Sequence, residues 1–107
     1  MLLIIKYMII TLHDDLKAIS SLLNEIFKIP AFRRDYNEAF GKIAQILYRY
    51  GIEENARNLR FRFILCMQEF FDGIPQDQWH VKDPSFVKRS EDFAILKFIE
   101  WIIEQVT

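Results

Sequence analysis

Two short groups of residues carry side chains that could do chemistry. His13-Asp14-Asp15 places three metal-ligand types in a row. Acidic side chains at the start of a helix also favour the positive end of its dipole, and one short run does not complete a coordination sphere. Cys66 and His80 are the second group, a potential nucleophile and base. Cys66 keeps the helical apolar spacing of Leu59, Phe63 and Phe70, where a free cysteine behaves as a small buried hydrophobe. A reactive thiolate needs an exposed, electropositive setting instead. The sequence therefore assigns no metal ligand and no catalytic residue. It also lacks a Gly-rich phosphate loop and a His-Glu-x-x-His pair. The expectation is a protein that is not an enzyme and has no cofactor.

Binding chemistry is better represented. Arg33, Arg34, Arg49, Arg57, Arg60 and Arg62, with Tyr36, Tyr48 and Tyr50, are the ingredients of a nucleic-acid surface, in which arginines meet phosphates and aromatics stack on bases. Residues 31–66 hold seven basic and four acidic side chains, a net +3, and residues 67–107 hold four basic and eight acidic, a net −4. The total of −1 thus conceals two differently charged parts. In the acidic part, Trp79 stands in a polar stretch with Asp72, Asp77, His80 and Asp83, followed by Glu91 and Asp92. Trp is enriched at interface anchors, and surrounding carboxylates steer basic partners, so these seven residues form a candidate protein-binding site. The alternative is that Trp79 folds back to cap the fold while the acids cap helices. Arg57, Phe61, Arg62 and Leu65 form an alternative interface, because Phe61 and Leu65 fall opposite the apolar side of their helix.

These residues must be positioned by helices. Leu12, Leu16, Ile19, Leu23, Ile26 and Phe27 step by three and four, with Thr11 and Asp14 at capping-box spacing before them and Pro30 after. Phe32, Tyr36, Phe40, Ile43, Leu47 and Tyr50 form a second pattern, closed by Gly51 in a left-handed conformation with Ile52 as its hydrophobic contact. Ala56 to Phe70 is a third, although Arg60-Phe61-Arg62-Phe63 also alternates as a strand would. Residues 74–89 read as a polar connection with a helical turn after Asp83. Ser90 then reads as the N-cap of the last helix, Phe93 to Val106, which is apolar around most of its circumference.

The expected fold is all-α: one domain over residues 1–107, a compact bundle of four main helices, the C-terminal one central. The run Met1 to Ile10 adds an apolar helix or a strand. At 107 residues, 51% apolar and 15% aromatic, the chain can bury a core and is not disordered. Three Gly and three Pro are too few for the turns of an all-β domain. A single cysteine excludes an intrachain disulfide. The apolar N-terminus has no basic n-region and is interrupted by Lys6, so it reads as core rather than as a signal or membrane span, and the expected location is cytoplasmic.

In size, helical pattern and charge layout the chain resembles small all-helical immunity proteins, which neutralise cognate bacterial toxins. The resemblance implies a stoichiometric inhibitor that covers the active site of a toxin, and a basic nuclease would match the acidic part. The alternative function is a nucleic-acid-binding or transcription-related helical domain using the Arg-rich region 33–62. Self-association through Phe61 and Leu65 is compatible with either.

Overall fold

The computed structural model describes the backbone of residues 2–107 and the side chains of residues 9–107. Four helices follow in chain order: α1 (Leu2–Lys28), α2 (Tyr36–Tyr48), α3 (Ala56–Asp72) and α4 (Pro84–Val106). Single 3₁₀ turns, Ala31–Arg33 and Gln76–Gln78, lie in the first and third connections. Among the described residues there is no strand, and no helix is long and apolar enough to cross a membrane.

Three boundaries differ from those expected. No Gly or Pro occurs before Pro30, so nothing interrupts α1, and Thr11 lies inside it rather than at a cap. The apolar N-terminal residues 2–10 are therefore the beginning of the first helix, neither a separate helix nor a strand. Helix α2 starts at Tyr36, because the Asp35 carboxylate accepts the Glu38 N–H. Phe32, expected in the core, sits ahead of that cap in a 3₁₀ turn and is 88% exposed. At α4, Asp83 is the N-cap and Pro84 takes the first turn, where its missing N–H has no intrahelical partner to lose. Ser90 is thus a buried position within α4, its hydroxyl donating to the Val87 carbonyl at 2.6 Å, and not a cap.

The remaining ends follow the sequence. Gly51 closes the α2 end at φ 81°, and the N–H of buried Ile52 returns to the Leu47 carbonyl at 3.2 Å. Asn55 caps α3 by accepting the Asn58 N–H. Arg60 to Phe63 are helical, consistent with the continued spacing through Cys66 and Phe70.

Phe98 of α4 organises the core. It meets Phe40 of α2 and Phe63 of α3 edge-on, at centroid distances of 6.2 and 5.7 Å, and Phe27 of α1 reaches Phe63 at 5.8 Å. Such pairs contribute about 0.5–1.5 kcal/mol each beyond the area they bury. The last helix therefore touches the core of all the others by direct or shared contacts. Its cover is incomplete, however, since Leu96 and Ile103 remain exposed. Helices α3 and α4 run antiparallel: Arg62 meets Trp101 at one end, and Phe70 meets Phe86 and Phe93 at the other.

Candidate functional site

Helix α3 has two apolar sides. Leu59, Phe63 and Cys66 turn inward and are buried. Phe61, Ile64 and Leu65 turn outward and are 61%, 42% and 43% exposed. They project as a ridge with a shallow cleft on either flank. One, of about 230 Å³, runs from Phe61 and Leu65 to Trp101. The other, of about 260 Å³, lies among Arg57, Arg60, Phe61 and Ile64.

The ridge is framed by arginines. The Arg62 guanidinium lies over the Trp101 ring at 4.6 Å, which fixes one border through cation–π contact. Arg60 covers Tyr36 at 4.8 Å, and Arg57 is exposed beside Phe61. Among the described residues, none of these three has a carboxylate within ion-pair distance. The Glu54 carboxylate nearby accepts from the Asn58 amide instead. The residues of the alternative interface read from sequence, Arg57, Phe61, Arg62 and Leu65, thus lie along the outward part of one helix, with exposed Ile64 beside them. Ile64 was missed because it falls at the edge between the two sides of the helix.

The acidic candidate site is arranged otherwise. Trp79 is half-buried, with its ring edge-on to Phe71 at 5.1 Å. Its indole N–H donates to the carbonyls of Phe71 and Ile74, at 3.2 and 2.9 Å. His80 stands edge-on to buried Phe86 at 6.0 Å. Asp83 accepts the N–H and hydroxyl of Ser85, and these bonds hold its carboxyl below the ordinary carboxylate value. Asp72 and Asp77 are exposed beside this corner. Glu91 and Asp92 lie further along α4. Asp92 pairs with Lys88 at 2.9 Å, while burial pushes the Glu91 carboxyl up against the opposing field of Arg34.

The Arg-rich region divides between two sides of the bundle. Arg49 is directed to α1, where its Nη2 meets Asp15 at 3.1 Å, and the Tyr50 hydroxyl donates to the same carboxylate. Burial and that acceptor push the Tyr50 pKa up to about 12. Asp15 is thereby engaged within the fold, and among the described residues no three His, Cys, Asp or Glu side chains gather to hold a metal ion. Cys66 is buried, and desolvation raises its thiol pKa, the opposite of what a nucleophile requires. No protein-family model, curated protein or solved structure matches this chain.

Proposed function

We propose that the chain is a protein-binding module that acts by forming a stoichiometric complex, and that the outer face of α3 is its docking surface. One observation carries this reading: Phe61, Ile64 and Leu65 are exposed on one helix inside a frame of arginines that have no ion-pair partner among the described residues. Central apolar anchors with charged borders are the usual anatomy of a specific interface. The partner expected is an acidic segment with apolar side chains at helical spacing, since Arg57, Arg60 and Arg62 repel a basic one. The same repulsion disfavours a second copy of this chain, because a two-fold pairing centred on Phe61 would bring both sets of arginines together. Nucleic acid fits less well: Ile64 and Leu65 offer no stacking surface, and Tyr36 and Tyr50 are committed to Arg60 and Asp15.

Exposed Asp72 and Asp77 favour a second reading, the neutralisation of a basic toxin through the acidic corner. Parallel affinity purification from native cells with the wild type, Phe61→Glu and Asp77→Lys separates the two. Our reading expects one stoichiometric protein that Asp77→Lys retains and Phe61→Glu loses. The reverse pattern would replace it with the acidic-corner reading. Recovery of nucleic acid that dissociates with rising salt would replace both.

A further inference from the structure

A different cleft, of about 260 Å³, opens between α3 and the connection that joins α1 to α2. Its apolar floor is formed by Phe27, Phe63, Ile64 and Met67. Arg34, Tyr36 and Arg60 stand on its rim. Arg34 is fixed by three hydrogen bonds: Nε to the Ile29 carbonyl at 2.8 Å, Nη2 to the Phe27 carbonyl at 3.4 Å and Nη1 to the Tyr36 hydroxyl at 3.2 Å. The first two close the end of α1, which gives this arginine a structural role as well. Two of its five N–H groups stay unused by these bonds. Because the Tyr36 oxygen accepts, its own O–H proton is left to donate. The Arg60 guanidinium lies over the Tyr36 ring at 4.8 Å, and no hydrogen-bond acceptor takes its N–H groups among the described residues.

The rim therefore holds hydrogen-bond donors of two guanidinium groups and one phenol, with the Gln68 amide beside them, and among the described residues no carboxylate lines the cleft. Glu91 acts on Arg34 electrostatically without an ion pair, and Asp35 stands between Arg34 and Tyr36 in the chain. Two cations offset in part by these acids suit a carboxylate, with one negative charge, better than a phosphate dianion. The volume lies below the range of about 300–1,000 Å³ for drug-sized ligands, so the apolar floor fits one ring-sized group. We propose that this cleft binds a small aryl or branched-alkyl carboxylate, its apolar body on Phe63 and Met67 and its carboxylate received by Arg60, Tyr36 and Arg34. Such an acid is either a free metabolite or the last residue of another polypeptide. The cleft shares Arg60 and Ile64 with the border of the α3 ridge, whereas Phe61, Leu65 and Arg57 do not line it, so Phe61→Glu tests the ridge without removing a group from the cleft.

Titration of the ¹⁵N-labelled protein followed by NMR tests this with phenylacetate, its neutral analogue phenylacetamide, acetate, and the tripeptide Gly-Gly-Phe as free acid. Saturable shifts confined to residues around Tyr36, Arg60, Ile64 and Met67 are expected with phenylacetate, the tripeptide or both, and the tighter of the two identifies the source. Phenylacetamide and acetate should bind at least about tenfold more weakly, each having lost one half of the recognition. Arg60→Gln, an exposed position, should weaken phenylacetate by a similar factor and, through its lost contact with Tyr36, lower the melting temperature by no more than a few degrees. Equal binding of phenylacetamide, equal binding of acetate, shifts centred elsewhere, or no saturation by either acid would overturn the assignment.

Discussion

Phe61 and Trp79 are both aromatic residues in polar stretches of sequence, and the molecule treats them in opposite ways. Trp79 carries an N–H, and the turn after α3 presents the Ile74 carbonyl beside the Phe71 carbonyl, which also accepts the Ile74 N–H at 3.1 Å. Folding the indole back gives its N–H an acceptor and the Ile74 carbonyl a donor, and brings the ring onto Phe71. Phe61 has no polar atom to satisfy, and the inner side of its helix is already filled by Phe63 and Cys66. Folding it inward would require a rotation of α3 that exposes the core. The tryptophan is therefore a structural fastener, while the phenylalanine stays exposed and is the anchor of the proposed docking surface. The charges follow the same division. Acids near Trp79 are used in part for capping and pairing, as at Asp83 and Asp92, whereas the arginines around Phe61 have no ion-pair partner among the described residues.

This contrast is most directly broken by truncating each region and comparing stability with binding. The largest effect is expected at Phe86, buried beneath Phe70, Phe71 and His80. Phe86→Ala should cost about 3–5 kcal/mol in chemical unfolding. Trp79→Phe, which keeps a ring but deletes both hydrogen bonds, should cost about 1–2 kcal/mol. Neither should alter the affinity of a partner that docks on α3 once the protein is folded. Unchanged stability in Trp79→Phe would mean that the indole bonds do not hold the corner, and Trp79 would return as a binding candidate.

The opposite profile is expected at the ridge. Phe61→Ala should change unfolding free energy by no more than about 0.5 kcal/mol. Partner affinity measured by calorimetry should nevertheless fall at least tenfold, about 1.4 kcal/mol. Arg57→Glu should act mainly on the association rate, with an effect that fades as salt rises, because this charge lies on the exposed border. A large loss of stability in Phe61→Ala would erase the distinction between the two regions.

The smallest effect lies away from both and appears only in alkali. Tyr50 has its pKa pushed from the ordinary 10.0 to about 12, so the folded protein keeps a proton that the unfolded chain has released. Stability should therefore be level with respect to this group below pH 10, fall as pH rises from 10 to 12, and level off above. Unfolding curves for Tyr50→Phe across that range should lack this component of the fall. An identical decline in both proteins would assign the alkaline sensitivity to other groups.

Much of the fold was legible because helical periodicity survives any choice of neighbours. The spacing of Ile19, Leu23 and Ile26, and of Phe40, Ile43 and Leu47, identified the buried faces directly, and Gly51 marked a helix end by its backbone freedom. Local signals misled where two were available and only one could be used. Thr11 with Asp14 matched a cap, but no breaker precedes them to start a helix there. Ser90 matched another, yet Asp83 followed by Pro84 is the earlier stop for the chain, and the helix simply runs through Ser90. Phe32 kept the apolar spacing of α2, but Asp35 begins that helix one turn later.

For the candidate site, the sequence alone determined the two-sided character of α3, since the angular positions of Phe61 and Leu65 follow from helix geometry. It also determined the uneven charge along the chain. Only the tertiary structure decided which aromatic faces outward, because that depends on what else can occupy the interior and on which carbonyls a turn brings within reach of the indole. It alone brought Arg34 and Tyr36, which precede α3 by some twenty residues or more, onto the same cleft as Arg60. Helix periodicity orders residues within one element, and the meeting of three elements at a cleft is set by how their cores pack.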